Sequence, residues 1–193
     1  MPDRNREPGA SVAEALTATA GALDRVVDAF GRAASWSGLA LVLVMAGNVL
    51  LRYAFRTGSV AMQELEWHLM SPLALLCIGY AIRHDGHVRV DILYGRMAPR
   101  AQQVIELVSC LFALALCVLV VKLSIPYVMQ SYSIGESSSD PGGLTHRWIL
   151  KAMIPAGFAI LGVHSLASVL RAIVPLLPPA GTGREGEGRH AAQ

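Results

Sequence analysis

Residues 33–51 read AASWSGLALVLVMAGNVLL and carry no formal charge. A helix rises about 1.5 Å per residue and the hydrocarbon core of a bilayer is about 30 Å thick, so ~20 largely apolar residues are enough to span it. Three more stretches read the same way: 67–82 (WHLMSPLALLCIGYAI), 107–121 (LVSCLFALALCVLVV) and 152–170 (AMIPAGFAILGVHSLASVL). The second reaches spanning length if Arg83 snorkels at one end and Glu66 sits in the headgroups. The third reaches it by running past Lys122 towards Pro126. In lipid every backbone N–H and C=O must be paired internally, so these segments are helices. The expected fold is an all-α integral membrane protein with four transmembrane helices, at about 33–51, 67–83, 105–125 and 152–172, preceded by an N-terminal amphipathic helix.

Composition agrees. Of 193 residues 53% are hydrophobic and 16% charged, against roughly 25% charged in a soluble domain. A net charge of +2 is too small to argue for nucleic acid. Eleven of the 16 Lys and Arg fall in the N-terminal segment, the 83–103 loop and the C-terminal tail; five fall in the 52–66 and 122–151 loops. The excess of basic residues predicts that both termini and the 83–103 loop are cytoplasmic. Trp67 and Trp148 then mark the outer interface, where amphipathic rings are favoured. The first 32 residues are polar, with both signs of charge, and predict no cleavable signal peptide. Cys77, Cys110 and Cys117 all fall inside spans and predict no disulfide.

Three regions follow: a cytoplasmic N-terminal segment (1–32), the four-helix transmembrane domain (33–173) and a disordered cytoplasmic tail (174–193) rich in Pro, Gly and charge. Within 1–32, Val12, Leu16, Ala20, Leu23, Val27 and Phe30 follow helical spacing, with Glu14, Asp24, Arg25, Asp28 and Arg32 opposite. This amphipathic helix either lies along the inner membrane surface before the chain turns into the first span, or packs on a partner.

Several residues invite chemistry. The segment 82–93, IRHDGHVRVDIL, gathers His84, Asp85, His87 and Asp91, permissive types for a metal. Gly86 interrupts any helix there, the alternation of Val88, Val90 and Ile92 suits a turning segment, and no zinc spacing is matched. A haem held between His68 and His164 fails on depth: the two differ by roughly 15 Å along the membrane normal. His164 is expected to hydrogen-bond a neighbouring helix through Asn48 or Ser71. Transport by this chain alone is also disfavoured. The span interiors hold only Asn48, His164 and a few Ser, Gly and Pro, whereas transporters keep ionisable or broken-helix sites near the midplane. Pro72 and Pro155 are placed near the outer starts of their spans, where proline costs little.

Read in order, QELEWHL leads into the second span and GYAIRHDGHVRVDILYGRM follows it. GESSSDPGGLTHRWILKAMIP leads into the fourth. Over roughly 36–172 this order resembles the small permease subunit of the TRAP (tripartite ATP-independent periplasmic) transporters. It is most similar to the branch named for mannitol and chloroaromatic compounds, which includes 2-oxo acid systems. The resemblance implies a non-enzymatic subunit without catalytic residues, cofactor or metal. Its partners would be a large permease subunit, a periplasmic solute-binding protein and membrane lipid. A sodium gradient would drive uptake of an organic acid by the complex. The alternative reading is a haem-binding membrane anchor of a redox complex, and a third is a small membrane metalloenzyme.

The residues then take structural and subunit-interface roles. Gly86 allows a tight reversal, Arg83 and Arg89 mark the cytoplasmic side and reach lipid phosphate, and His87 and Asp91 pair locally or with the large permease. Glu64 and Glu66 beside Trp67 either pair with Lys151 or Arg147 or are simply solvated. Glu136, Ser137 and Asp140 form a turn-rich outer loop before Trp148 and Lys151 which, by the resemblance, touches the binding protein or large permease. Gly38, Gly47, Gly79, Gly157 and Gly162 permit close helix approach.

Overall fold

A computed structural model of the chain describes residues 8–84 and 97–176. Within them are four α-helices and no strand: α1 (Pro8–Phe55), α2 (Val60–Arg83), α3 (Pro99–Ser133) and α4 (Trp148–Ile173), followed by a 3-10 turn at Val174–Leu176. All four helices are long and apolar enough to cross a membrane, so the chain is an all-α multi-pass membrane protein. The tail beyond the 3-10 turn lies outside the described residues.

The helix boundaries have local causes. Arg56 adopts a left-handed φ of 52° and stops α1. Ser59, in extended conformation, caps α2 by accepting a hydrogen bond from the Met62 N–H. Pro99 opens α3 from the first turn, where its missing N–H costs nothing. At the other end of α3 the N–H of Glu136 bonds the carbonyl of Ser131 and that of Gly135 bonds Tyr132. Gly135 sits at φ +59°, which completes a Schellman motif.

Two boundaries depart from the sequence reading. No turn separates the amphipathic stretch from the first span: α1 is one helix of 48 residues. At 1.5 Å per residue it is about 72 Å long, over twice the thickness of the hydrocarbon core. Likewise α3 does not end near Pro126 but runs on to Ser133, with Pro126 inside it. Pro72 and Pro155 are also inside their helices and not at the starts, because α2 and α4 begin further out than the apolar runs suggest.

Helix α4 is the axis of the bundle. The other three pack against it, α1 also lies along α2, and α3 leans on α4. Consistently, α4 is the most densely buried helix for its length, with Gly157, Ile160, His164, Ser165, Ala167 and Val169 enclosed. Elsewhere large apolar side chains point outwards: Trp36, Leu43, Leu50, Phe112 and Val118 are all well exposed. A soluble domain would bury such residues; a surface of this kind belongs against lipid or another membrane subunit.

Small residues set the helix spacing. A Cβ on Gly157 would stand 2.7 Å from the carbonyl oxygen of Leu75, so α4 crosses the α2 backbone at this glycine. Gly31, within the stretch read as the amphipathic helix, lies equally close to Tyr80 of α2. A Cβ on Gly21, by contrast, would meet nothing within 4 Å. Gly157→Ala is therefore expected to destabilise the bundle by about 1–3 kcal/mol, because a fixed backbone must shift. Gly21→Ala should be neutral or stabilising by up to about 1 kcal/mol. Reversible unfolding in mixed detergent micelles measures both, and equal effects would contradict the packing described.

Candidate functional site

The polar side chains collect at the two ends of the bundle. At one end α1, α2 and α4 converge on Asp24, whose side chain is only 3% exposed. Arg171 of α4 forms an ion pair with it. Arg83 of α2 lies 3.7 Å from it and His164 of α4 lies 3.5 Å from it, both from Oδ1. One turn further along α1, Asp28 holds Arg83 at 3.1 Å and His84 at 3.1 Å. His84 in turn packs on the Tyr80 ring, centroids 4.4 Å apart. Asp24 and Asp28 are four residues apart and share a helix face. Arg171 reaches Asp24 because helical side chains lean towards the N-terminus of their own helix. A carboxylate in this position is tolerated because cations surround it; alone it would be strongly unfavourable.

The other end is organised by Glu64. Its carboxylate accepts hydrogen bonds from the Ser138 hydroxyl and the Leu144 N–H. It thereby clamps the loop that joins α3 to α4. Gly143 fits only as glycine, since a Cβ there would stand 2.5 Å from Ser138 and 2.9 Å from Glu64 Oε1. Two turns within the loop, Gly143 N–H to Asp140 and Ser138 N–H to Leu144, hold its shape. Glu66 accepts instead from Asn48 of α1 at 3.2 Å. His68 donates from Nδ1 to the Glu64 carbonyl at 2.8 Å. Glu136 pairs with Lys151, whose ammonium also sits 4.2 Å above the Tyr127 ring. Trp148 meets Tyr132 edge-on at 5.4 Å. Between these groups opens a cavity of about 410 Å³ whose walls include Glu66, Trp67, His68, Asp140 and Arg147.

Along α2, Glu64 and Arg83 are about 29 Å apart at the helical rise, and along α4, Lys151 and Arg171 about 30 Å. Both separations match the thickness of the hydrocarbon core, about 30 Å. The two polar ends are thus spaced as the two faces of a bilayer. Below the polar collar formed around Glu64, Glu136 and Lys151, α3 carries one charged residue between Glu106 and Ser133, Lys122.

Of the residues singled out from the sequence, Arg83 joins the Asp24 end, and Glu64, Glu66, Trp67, Glu136, Trp148 and Lys151 gather at the Glu64 end. Arg83 is engaged by Asp24 and Asp28. Neither Glu64 nor Glu66 pairs with Lys151, which is taken by Glu136. Ser137 is part of the clamped loop. Gly86, His87, Arg89 and Asp91 lie outside the described residues. His164 meets Asp24 and neither Asn48 nor Ser71; the Ser71 hydroxyl donates to the Trp67 carbonyl at 3.0 Å. The haem alternative loses further ground. Leu75 is level with Gly157, so His68 and His164 differ in depth by about 21 Å. Among the described residues no three His, Cys, Asp or Glu are grouped as metal ligands. Sequence reasoning missed Asp24 and Arg171. The signal available was an acidic residue at i and i+4 on α1 with arginines closing two other spans.

Comparison with known proteins decides the family. The family described as "Tripartite ATP-independent periplasmic transporters, DctQ component" matches residues 41–174. The chain belongs to this family. The DctQ component is a transporter subunit and not an enzyme. The ectoine TRAP transporter small permease protein TeaB of Halomonas elongata is 26% identical over 134 residues, 67% of this chain and 68% of TeaB. The C4-dicarboxylate TRAP transporter small permease protein DctQ of Pseudomonas aeruginosa is 26% identical over 144 residues, 70% of this chain and 64% of that protein. A Haemophilus influenzae relative, also carrying a TRAP small permease name, is 29% identical over 100 residues, 51% of this chain and 62% of its own length. The chain thus spans about two thirds of the length of these relatives. Asp24 and Asp28 fall before the matched region, whereas Arg83, His164, Arg171, Glu64 and the clamped loop fall within it.

Replacing Asp24 with Asn should cost about 3 kcal/mol, since it strips a buried charge network of its one central anion. Asp28→Asn, at the more open edge of the cluster, should cost under about 1 kcal/mol. Unfolding in mixed micelles separates the two. At the other end the Lys151 hydrogen bond and charge hold the Glu136 carboxyl below its ordinary value of 4.5. A depressed folded value means the pair contributes fully above 4.5 and is lost only as pH falls below it. With Trp36 and Trp67 replaced by Phe, Trp148 emission should stay constant from neutral pH to 4.5 and change beneath it. Glu136→Gln should show the altered emission at every pH.

Proposed function

We propose that this DctQ-family chain is the small membrane subunit of a TRAP-type secondary transporter, in which it packs against a large permease and supports its work. In this reading a periplasmic binding protein delivers an organic acid and a sodium gradient drives its entry. The chain itself holds no translocation path. The observation that carries the reading is the placement of the polar groups. They form two ends a bilayer apart, the Asp24 and Glu64 carboxylates each partnered within the chain, with the family match covering most of the length between them. Transport sites are expected near the midplane. Among the described residues the charges between those ends are Lys122 on α3 and Arg32, one turn past Asp28 on α1, both exposed on the outside of the bundle.

The relatives bear on the substrate only indirectly. One is named for ectoine and another for C4-dicarboxylates, at the same 26% identity. The similarity of this subunit therefore does not separate cargoes, which suits a subunit remote from the cargo site. The large permease and the binding protein would select the organic acid.

Orientation belongs to the same proposal. The Asp24 end, with Arg83 and Arg171, faces the cytoplasm of a bacterial cell; the Glu64 end, with Trp67, Trp148 and the clamped loop, faces the periplasm. The N-terminal part of α1 and the C-terminal tail are then cytoplasmic.

A labelling experiment tests the orientation. Ser137→Cys should react with a membrane-impermeant maleimide in intact spheroplasts, and Ala98→Cys only after permeabilisation. The opposite pattern would reverse the topology. Function is tested by reconstituting this chain, the large permease and the binding protein in liposomes. Organic acid uptake should require all three proteins and an inward sodium gradient. Uptake without this chain, or sodium-dependent uptake by this chain alone, would overturn the proposal.

A further inference from the structure

Lys122 closes the charge-free run of the third span, which the sequence carries only a few residues further, to about 125. In the structure it lies inside α3, eleven residues before the helix ends at Ser133. The outer collar begins at Tyr127, which meets Lys151. Five residues deeper than Lys122, Cys117 packs against Gly162 of α4. Lys122 therefore sits about 7.5 Å below the Tyr127 level, within the hydrocarbon. Among the described residues no carboxylate lies within ion-pairing distance of it.

The residue lines an open groove of about 480 Å³ between α3 and α4. The remaining walls are apolar, among them Val118, Ile125 and Phe158, and the floor is made by Ala159 and Gly162. Helix α3 has no comparable neighbour other than α4, so the groove stays open on the far side. Small residues along a membrane helix let a second helix approach closely. An acyl chain needs neither a small-residue floor nor an ammonium at this depth. An ionisable residue within a span ordinarily faces a partner of opposite charge. A second copy of this chain in the same orientation cannot supply that charge: by the Cys117–Gly162 and Gly157–Leu75 contacts Lys122 is level with Leu75, and the nearest carboxylates of α2, Glu66 and Glu64, stand roughly 13–17 Å further out and are already held by Asn48, Ser138 and Leu144.

We propose that the α3–α4 groove seats a transmembrane helix of the large permease, and that Lys122 pairs there with a carboxylate of that helix. The proposal rests on the small-permease reading above and adds to it the face of contact and its charge. It also makes α1, with Trp36 and Leu43 exposed along its flank, a surface for lipid.

The test uses this chain co-expressed with its cognate large permease. A photo-crosslinking amino acid is placed at Val118 in the groove or at Leu43 on α1, and the complex is irradiated in membranes before purification. Val118 should cross-link to a permease segment that carries an Asp or Glu within a span; Leu43 should not. Lys122→Glu should lower the co-purified permease by about tenfold or more, since it sets two like charges together in lipid, while Lys122→Arg should retain it. Gly162→Leu, which fills the floor, should lower it as well. Should Lys122→Glu fail to fold alone, the wild-type cross-links at Val118 decide the matter. If the wild-type chain co-purifies with the permease while Val118 cross-links only to lipid, or if Lys122→Glu keeps the complex, the groove proposal falls and the small-permease reading stands. A wild-type chain that neither binds the permease nor supports uptake overturns both.

Discussion

The carboxylate of Asp24, on α1, meets both α2 and α4, and one end of the bundle is arranged around that meeting. Arg171 and His164 come to it from α4, Arg83 from α2, and Asp28 on the next turn of α1 extends the cluster to His84. A carboxylate so deeply enclosed is stable only in company, and its cations come from helices far apart in sequence. The rest of the fold respects that constraint. Helix α1 has to lie along α2 and α4 in a register that puts Asp24 between the two arginines. Gly31 and Gly157 provide the closeness, because side chains at those positions would hold the helices apart.

The Glu64 end follows a different logic. There the anion is satisfied by a neutral hydroxyl and a backbone N–H, and its role is to fix a loop against a helix. The charges beside it, Glu136 and Lys151, pair with each other across the entry to α4. One end thus joins helices to helices and the other joins a loop to helices. Between them the chain offers mostly apolar side chains to its surroundings. This division suits a subunit whose main charges are paired at its two ends and whose outer faces are left for lipid and for a larger membrane protein.

Much of this was legible in the sequence. Charge-free runs of spanning length located the four helices, because lipid leaves a backbone so few options. The motifs at 63–69, 79–97 and 135–155 carried the family resemblance. The ends of helices were less legible. Lys122 closes an apolar run, yet α3 continues to the Schellman turn at Gly135, since the cap and not the charge stops a helix. Arg25, Asp28 and Arg32 suggested that an amphipathic segment must turn before the first span, yet α1 runs unbroken through Gly31, which packs on Tyr80 of α2. The projection placed Asp24 on a solvated face for the same reason. Helical spacing reports which residues share a side, but it does not report that arginines from two other helices wait on that side. The partners of Glu64 were hidden in the same way, lying 74 and 80 residues further along the chain.

The chain order of the Asp24 cluster bears on how the protein is made. Only Arg56–Ser59 separate α1 from α2, so these two helices enter the bilayer as a hairpin. Asp24 leaves the ribosome first, Arg83 follows with the second helix, and His164 and Arg171 come last with the fourth. Until then the carboxylate has one arginine where the finished protein gives it two. Without α4 the carboxylate is only partly neutralised, and such a group is costly away from water, so its enclosure depends on the fourth helix. The last helix to be translated is the one that closes the bundle, and a chain truncated before it keeps its hairpin but leaves that charge unsheltered.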